Sequence, residues 1–457
     1  MESESRSRRL IHTDHVALEI VPEDNLVFSI KEKIERVALT HSICRVPDKH
    51  SNQSEDKYVP KLVSIGPLHH GEEASKAMED NKWCYLNTLL NRKPKVEERL
   101  DMEDNKCGYL NTRLLNQKPN VEASLDSCVK ALRELENKAR KCYGEKFELG
   151  SDEFVQMMLV DGCFIIEILF KYSIKGLRRR DDPFFITKER FLHVRSDMLL
   201  LENQIPFFIL QRLFSLVPIP NQCTQSLVEL ALRFFKKLIP GNVPILQGKF
   251  SQDFNHLLDL VLHFYLPTYA EVESISGAKQ SLANAKKLQK AGISFERANR
   301  ESLLDMKFSH GVLKMPPLKV DDYTEVVLRN LIALEHCYCD RKKYITSYAG
   351  FVKSLIQSKE DLRLLYQTRI IANKKKEWED ILNLFKKLHG ETDVKEYYYN
   401  GLCEQVNGHG KKTSWQAWLQ SFRKTPLAVA GLILGILFLI LTFIGTLFSV
   451  LSFTHHF

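Results

Sequence analysis

The sequence predicts a mainly α-helical fold: a multi-helix globular domain with a small β-hairpin near 302–315 and one C-terminal transmembrane helix. Three observations carry this. The stretch from Asp152 to Tyr172 is apolar nearly all round, as in a helix buried on every side. Elsewhere apolar residues recur at three- and four-residue spacing between prolines. Finally, Leu427 to Phe453 contains no charged residue.

Composition bounds the rest. The 457 residues are 44% hydrophobic and 27% charged, which suits a folded chain. That length gives room for roughly two or three domains or subdomains. The net charge of +8 is modest and fits a protein beside an anionic membrane surface. There is no dense Lys/Arg run with interleaved aromatics and no nucleic-acid-binding module, so nucleic acid is not an expected partner. The charged N-terminus lacks an apolar core of signal-peptide length, which argues against ordinary secretion. The ten cysteines are scattered, and most read as reduced, buried thiols facing a reducing compartment. The single sequon, Asn52-Gln53-Ser54, decides nothing.

Residues 1–25 read as a mobile arm, and 26–410 as the helical globular domain. Ser29 and Glu32 form a capping box, and Ile30, Ile34 and Val37 share a face of the helix it opens. Residues 43–72 are irregular, broken by Pro47, Pro60 and Pro67. His69-His70 there invites a metal reading. Adjacent histidines point apart and no third ligand sits at useful spacing, so loop packing is preferred.

A tandem unit follows over 78–126. Met78-Glu79-Asp80-Asn81-Lys82 returns as Met102-Glu103-Asp104-Asn105-Lys106, and Tyr85-Leu86-Asn87-Thr88 as Tyr109-Leu110-Asn111-Thr112. Two copies do not make a solenoid. A duplicated helix-plus-turn is expected, with one copy carried as an extra hairpin or surface excursion. The next helix, Pro119 to Cys142, carries Leu125, Val129, Leu132 and Leu135.

Asp161 and Glu167 interrupt the central helix, and its apolar runs are too short to span a bilayer. After the Arg178–Pro183 loop, a helix from about Lys188 is expected to run into Glu202 and break near Pro206. Helices at 225–239 and 254–266 end at prolines, and a subdomain break is expected near 268–276. A basic amphipathic helix over 274–292 bears Lys279, Lys286, Lys287 and Lys290 and reads as a solvated face. Ser302 to Phe308 alternates, Ser309-His310-Gly311 turns, and Val312 to Met315 returns, with Ile293-Ser294-Phe295 as a candidate third strand. Helices then restart at Asp322, at 359–372 behind the cap Ser358, and at 376–389.

Within the juxtamembrane segment 411–425, Trp415 and Trp418 share a face beside Arg423 and Lys424, as in an interfacial belt. Residues 426–453 form the expected span and 454–457 a short tail. The basic residues lie on its N-terminal side, which places the bulk of a single-pass protein in the cytosol, at the plasma membrane or an endomembrane. Gly431 and Gly435 form a GxxxG step that admits a homodimer.

Chemical motifs are sparse. Gly241 to Lys249 has the wrong spacing for a phosphate loop, and Phe250 stands where Ser or Thr would bind magnesium. No GxSxG, HExxH or kinase set occurs, and no cofactor is expected. His336, Cys337 and Cys339 are three soft ligands in four residues, too tight to close a tetrahedral site alone; a structural role is preferred. Asp161, Glu167, Asp197 and Glu202 are carboxylates in apolar company. Burial would raise their pKa values, and Asp161 with Glu202 could form an acid–base pair. The preferred reading is that they hydrogen-bond interhelix turns, with Glu202-Asn203-Gln204 satisfying backbone freed by Pro206.

Several stretches together resemble a plant-specific family, domain of unknown function 247. They are Val63 to Gly71, Met158 to Phe164, Leu199 to Phe208, Val320-Asp321-Asp322 with Asn330 to Glu335, and Ile345 to Ala349. The resemblance implies a plant protein with one C-terminal membrane segment and no established activity. Some members are linked to pollen-side self-incompatibility in grasses, which favours recognition or signalling over metabolism. The duplicated unit and the His336–Cys339 cluster depart from the family pattern. The expected function is a non-enzymatic, membrane-anchored protein-interaction component. The alternatives are an acid–base hydrolase using Asp161 and Glu202, or a small-ligand-binding membrane protein.

Overall fold

The structure is a computed structural model. It describes residues 42–46, 57–92, 121–238, 254–268, 270–275, 280–298, 302–338, 342–373, 377–388, 397–410 and 426–455. The first half holds α1 (Glu73–Lys76), α2 (Glu79–Leu90), α3 (Val121–Lys141), α4 (Ser151–Ser173), α5 (Lys188–Asp197), α6 (Phe207–Leu216), α7 (Leu227–Phe235) and α8 (Leu257–Tyr265). The expected helix after Ser29 and the second copy of the tandem unit lie outside the described residues; the first copy is α2.

α4 is the hub. It is buried continuously from Met157 to Lys171 because α2, α3, α6 and α7 pack against it from different sides. That explains its all-round apolar sequence. Gly162 lets α6 approach: a Cβ there would land on the Leu213 side chain. An aromatic cluster seals the α2 side, with Tyr85, Phe164 and Phe184 ring centroids 5.0–5.4 Å apart.

The second half contains α9 (Ala285–Lys290), β1 (Ser294–Arg297), β2 (Lys307–Ser309), β3 (Val312–Met315), β4 (Leu318–Val320), α10 (Thr324–Cys337), α11 (Tyr344–Leu355), α12 (Lys359–Gln367), β5 (Ile371–Asn373) and α13 (Trp378–Leu388). Residues 400–410 form α14 and Pro426–His455 form α15. α10 packs against α11, α13 and α8, which joins the two halves. The expected hairpin is present. β2 and β3 pair antiparallel around a turn in which His310 and Gly311 take positive φ, and β1 adds in parallel to β3.

Several boundaries differ from expectation. The basic helix is restricted to α9 because the Asn284 side chain caps it, accepting from the Lys287 N–H. α12 carries the expected Ser358–Asp361 capping box but stops at Gln367, since Arg369 turns left-handed and the chain enters β5. β5 pairs in parallel with β4, a second sheet without a periodicity signal in strands this short. α5 ends at Asp197, five residues before Glu202, and the chain turns.

The C-terminal segment is a helix, and its side chains over 434–448 are exposed. Among the described residues, however, no helix is long and apolar enough to cross a membrane. The expected transmembrane helix, and with it the single-pass membrane localisation with a cytosolic bulk, is therefore corrected.

The hub makes a direct prediction. Phe164 is fully buried between Tyr85 and Phe184. Phe164→Ala is expected to lower the unfolding free energy by about 3–5 kcal/mol, read from the urea midpoint at unchanged slope.

Candidate functional site

The segment from Tyr58 to Gly71 has almost no regular structure beyond the short 3-10 turn Pro67–His69, yet much of it is buried. Buried N–H groups without a helix or sheet partner must bond elsewhere. Here polar side chains from α4, α5 and the turn after α5 supply the acceptors. Asp197 closes α5 and accepts from the N–H groups of Lys61 at 3.1 Å, Leu62 at 2.8 Å and Val63 at 3.0 Å. Asn203 accepts from the Ile65 N–H at 2.6 Å and donates to the carbonyls of Val63 and Asp197, each at 2.9 Å. Asp161, on α4, accepts from the Gly66 N–H at 2.8 Å. Gly66 has φ +77°, and a Cβ there would run into the Gln204 carbonyl oxygen, so a side chain would meet both a left-handed backbone and a steric block.

Lys82 completes this end of the network. From α2 its ammonium reaches Asp161 and Glu79, both at 2.7 Å, and donates to the Ser64 carbonyl. Burial opposes the charge on Lys82, but Asp161 and Glu79 outweigh it and its pKa is raised. At the other end Glu202 accepts from the Val46 N–H at 2.8 Å, lies 3.2 Å from His69 Nε2 and 3.8 Å from Arg45. His69 Nδ1 lies 2.7 Å from Glu72. Burial works against an imidazolium at His69, yet the two flanking glutamates prevail and its pKa is raised.

The same device ties in the second half. Asn330 of α10 accepts from the Leu201 N–H at 2.8 Å and donates to the Lys57 carbonyl at 3.2 Å. Glu335 accepts from the N–H groups of Ile345 and Thr346, at 2.7 and 2.9 Å, fixing the start of α11. Burial pushes the Glu335 carboxyl up to about 7 and that of Asp197 up to about 6, with the donated N–H bonds acting in the opposite direction. Deeper in the first half, Glu167 is paired with Arg92 at 2.6 Å and Asp182 with Lys171 at 2.7 Å.

Asp161 and Glu202 are thus brought to the same segment, at Gly66 and His69, and each is already engaged. Two surface cavities, of about 210 and 560 Å³, are lined by other residues. The first lies between α8, β4 and α10; the second lies beside α11, with Lys353 and Lys386 on its walls.

Of the soft-ligand cluster, His336 Nδ1 lies 3.0 Å from the Lys343 ammonium and Cys337 forms a disulfide with Cys44; Cys339 lies outside the described residues. A disulfide sulfur is not a thiolate, which removes Cys337 from any ligand set. Among the described residues no group of three His, Cys, Asp or Glu is placed to hold a metal. Most of the described cysteines are reduced, as expected, and this pair is the exception. Cys84, Cys128, Cys142, Cys163, Cys223 and Cys403 are free, whereas Cys44 and Cys337 are oxidised. Trp415, Trp418, Arg423 and Lys424 lie outside the described residues. Gly431 and Gly435 fall on α15, and a Cβ added at Gly435 would meet no atom.

Sequence reasoning missed Lys82, the role of His69, and the partner of Cys337. Lys82 did carry a signal: it shares a helix face with Tyr85, Leu86 and Leu89, all buried, and a lysine on an apolar face implies a buried counter-charge. Cys44 carried none, since 293 residues separate it from Cys337.

Lys82→Met is expected to cost about 3–5 kcal/mol in chemical unfolding, because Asp161 stays buried without its cation. Replacing both, as Lys82→Met with Asp161→Leu, should recover part of that loss. Stability should also depend on pH. Asp197 and Glu335 have folded pKa values above their ordinary ones, so the folded state holds protons the unfolded chain has lost, and stability falls as pH rises from about 4 to about 7. His69 contributes fully below about pH 6.5 and loses its contribution as pH climbs through its raised folded value. The thermal midpoint should therefore fall between about pH 5 and about pH 8. His69→Gln should flatten the upper part of that fall and Glu335→Gln the lower part.

The comparisons with known proteins bear on the whole of this network. The profile of DUF247, described as "Plant protein of unknown function", matches residues 43–441. UPF0481 protein At3g47200 of Arabidopsis thaliana is 27% identical over 440 residues, covering 90% of this chain and 86% of the relative. Putative UPF0481 protein At3g02645 of the same plant is 22% identical over 437 residues, covering 74% and 76%. No solved structure matches. On this match, which takes in every residue of the network just described, the chain belongs to the DUF247 family of plant proteins of unknown function.

Proposed function

We propose that this plant protein is a non-enzymatic protein-interaction component, acting in recognition or signalling. One observation carries the reading. The carboxylates that could have formed an acid–base site are engaged in holding chain segments together: Asp161 holds Gly66 and Lys82, and Glu202 holds Val46 and faces His69. Neither lines the two cavities described above. A general acid or base must reach the proton it transfers on a bound substrate. Groups that already accept buried backbone N–H bonds are occupied with architecture instead. What such a scaffold offers is a rigid body, inside which a buried extended segment is fixed by side-chain acceptors. The partner class we assign is protein, either a different chain or a second copy of this one.

Two measurements on the purified chain test this. Screening against ester, amide and glycoside substrates should show no turnover attributable to the protein, and Asp161→Asn and Glu202→Gln should lower the melting temperature. Turnover that either amide variant abolishes while its melting curve is unchanged would overturn the proposal in favour of an acid–base hydrolase. In parallel, cross-linking in plant cells should yield a protein contact. That contact should then reconstitute from purified components as a complex of fixed stoichiometry by light scattering; failure of every cross-linked candidate to do so counts against the proposal.

A further inference from the structure

Residues 42–46 cross the molecule as a strap. Ile43 donates to the Cys142 carbonyl at 3.1 Å and accepts from the Gly144 N–H at 2.9 Å, just beyond α3. The Ser42 carbonyl accepts from His256 Nε2, at the cap of α8, at 2.9 Å. Val46 donates to Glu202 at 2.8 Å, and Arg45 pairs with Glu145 at 2.8 Å and donates to the Leu68 carbonyl at 3.3 Å. These contacts all fall on the first half. The tie to α10 in the second half is covalent: Cys44 is bonded to Cys337, the last residue of that helix.

The other thiols sit differently. Cys128, Cys163, Cys223 and Cys403 are buried, and burial pushes the thiols of Cys128 and Cys403 up to about 11 and about 12. Thiols held protonated in the core are poor nucleophiles. Cys44 and Cys337 are both partly exposed. Breaking their bond would not separate the halves. α10 buries Val327, Leu331 and Leu334, and Asn330 bonds it to Leu201 and Lys57 independently.

We infer that the Cys44–Cys337 disulfide is a redox-addressable fastener, opened by thiol–disulfide exchange, that releases the 42–46 strap from α10 while the helical core stays folded. The co-reactant is a thiol reductant, either two equivalents of a glutathione-type monothiol or one dithiol. A thiolate attacks one sulfur and forms a mixed disulfide, expelling the other cysteine as a thiolate that takes up a proton. The second thiol then displaces the mixed disulfide. Cys44 and Cys337 end as thiols, the reductant ends as a disulfide, and two electrons are transferred.

The full chain, produced in an oxidising compartment and purified without reductant, tests this by differential alkylation and amide exchange. Before reduction, Cys44 and Cys337 should resist alkylation while the exposed Cys84 is labelled. After brief treatment with dithiothreitol, both should label while Cys128, Cys163, Cys223 and Cys403 stay protected. Amide exchange at Ile43 and Val46 should then rise by roughly tenfold or more, with helicity unchanged. The Cys44→Ser, Cys337→Ser double variant should show the faster exchange from the start and no response to reductant. Alkylation of Cys44 and Cys337 without reductant would overturn the inference. Unchanged exchange at Ile43 and Val46 after reduction would do so as well, and so would loss of helicity with labelling of the four core thiols, which would make the bond a structural staple.

Discussion

The structure depends on how one extended, buried segment satisfies its backbone. Residues 61–66 present successive N–H groups to the interior, with neither a helix nor a sheet to receive them. Each such group left unpaired costs about 1–3 kcal/mol, comparable to a substantial share of a domain's net stability. Asp197, Asn203 and Asp161 accept five of these bonds between them. This constrains the other elements. α5 must end where Asp197 faces the segment, α4 must present Asp161 to Gly66, and the turn from Met198 to Pro206 must bring Asn203 beneath Val63. Gln204 closes that turn by donating to the carbonyls of Met198 and Leu200.

Charge follows from the same constraint. A carboxylate is a strong acceptor for several N–H groups, but burying it requires either donors or a counter-cation. The molecule uses both solutions. Asp197 and Glu335 rely on donated N–H bonds, and burial still lifts them to about 6 and about 7. Asp161, Glu167 and Asp182 lie beside Lys82, Arg92 and Lys171. A buried ion pair gives little net stability over a well-packed apolar pair. Its value here is geometric: Lys82 of α2 and Arg92 just beyond α2 fix how that helix meets α4, and Lys171 of α4 fixes the loop that carries Asp182.

Much of the fold was legible in the sequence and part of it was not, for identifiable reasons. The all-round apolar run revealed α4 as a core helix, and alternation on either side of the Ser309-His310-Gly311 turn revealed the hairpin of β2 and β3. The capping chemistry of Ser358 and Asp361 fixed the start of α12. Helix ends were harder. The Asn284 cap and the left-handed Arg369 shorten helices whose apolar periodicity continues past them. Three-residue strands such as β4 and β5 are too short to show a period. The C-terminal apolar run suggested a span that the described helices do not provide. At the site, buried carboxylates were recognisable as structural acceptors, but their partners were not. Lys82 lies 79 residues from Asp161 and Cys44 lies 293 from Cys337, and single-sequence patterns carry no information about such pairings.

This geometry changes what the family resemblance can be taken to mean. The stretches that carry it are in contact with one another: Ile65 with Asn203, Gly66 with Asp161, Leu201 with Asn330, and Glu335 with Ile345 and Thr346. Each resembling block supplies one side of a hydrogen-bonded junction whose other side is a second resembling block. The motifs therefore describe how the chain closes on itself, and a chain carrying them is specified as this fold before anything is said of its activity. Under the interaction role proposed above, residues that select a partner would lie elsewhere, on surfaces the junctions leave open. The groove beside α11 and the edge of the molecule reached by the strap are such surfaces. Cys44 sits at the second of these, bonded to the end of the helix whose Asn330 and Glu335 hold the junctions of the second half. A change in that bond reaches the strap directly, whereas it reaches the buried junctions through α10, which is anchored by its own core contacts. The structure thus separates a core that fixes the fold from a covalent tie at its surface that can be altered without dismantling it.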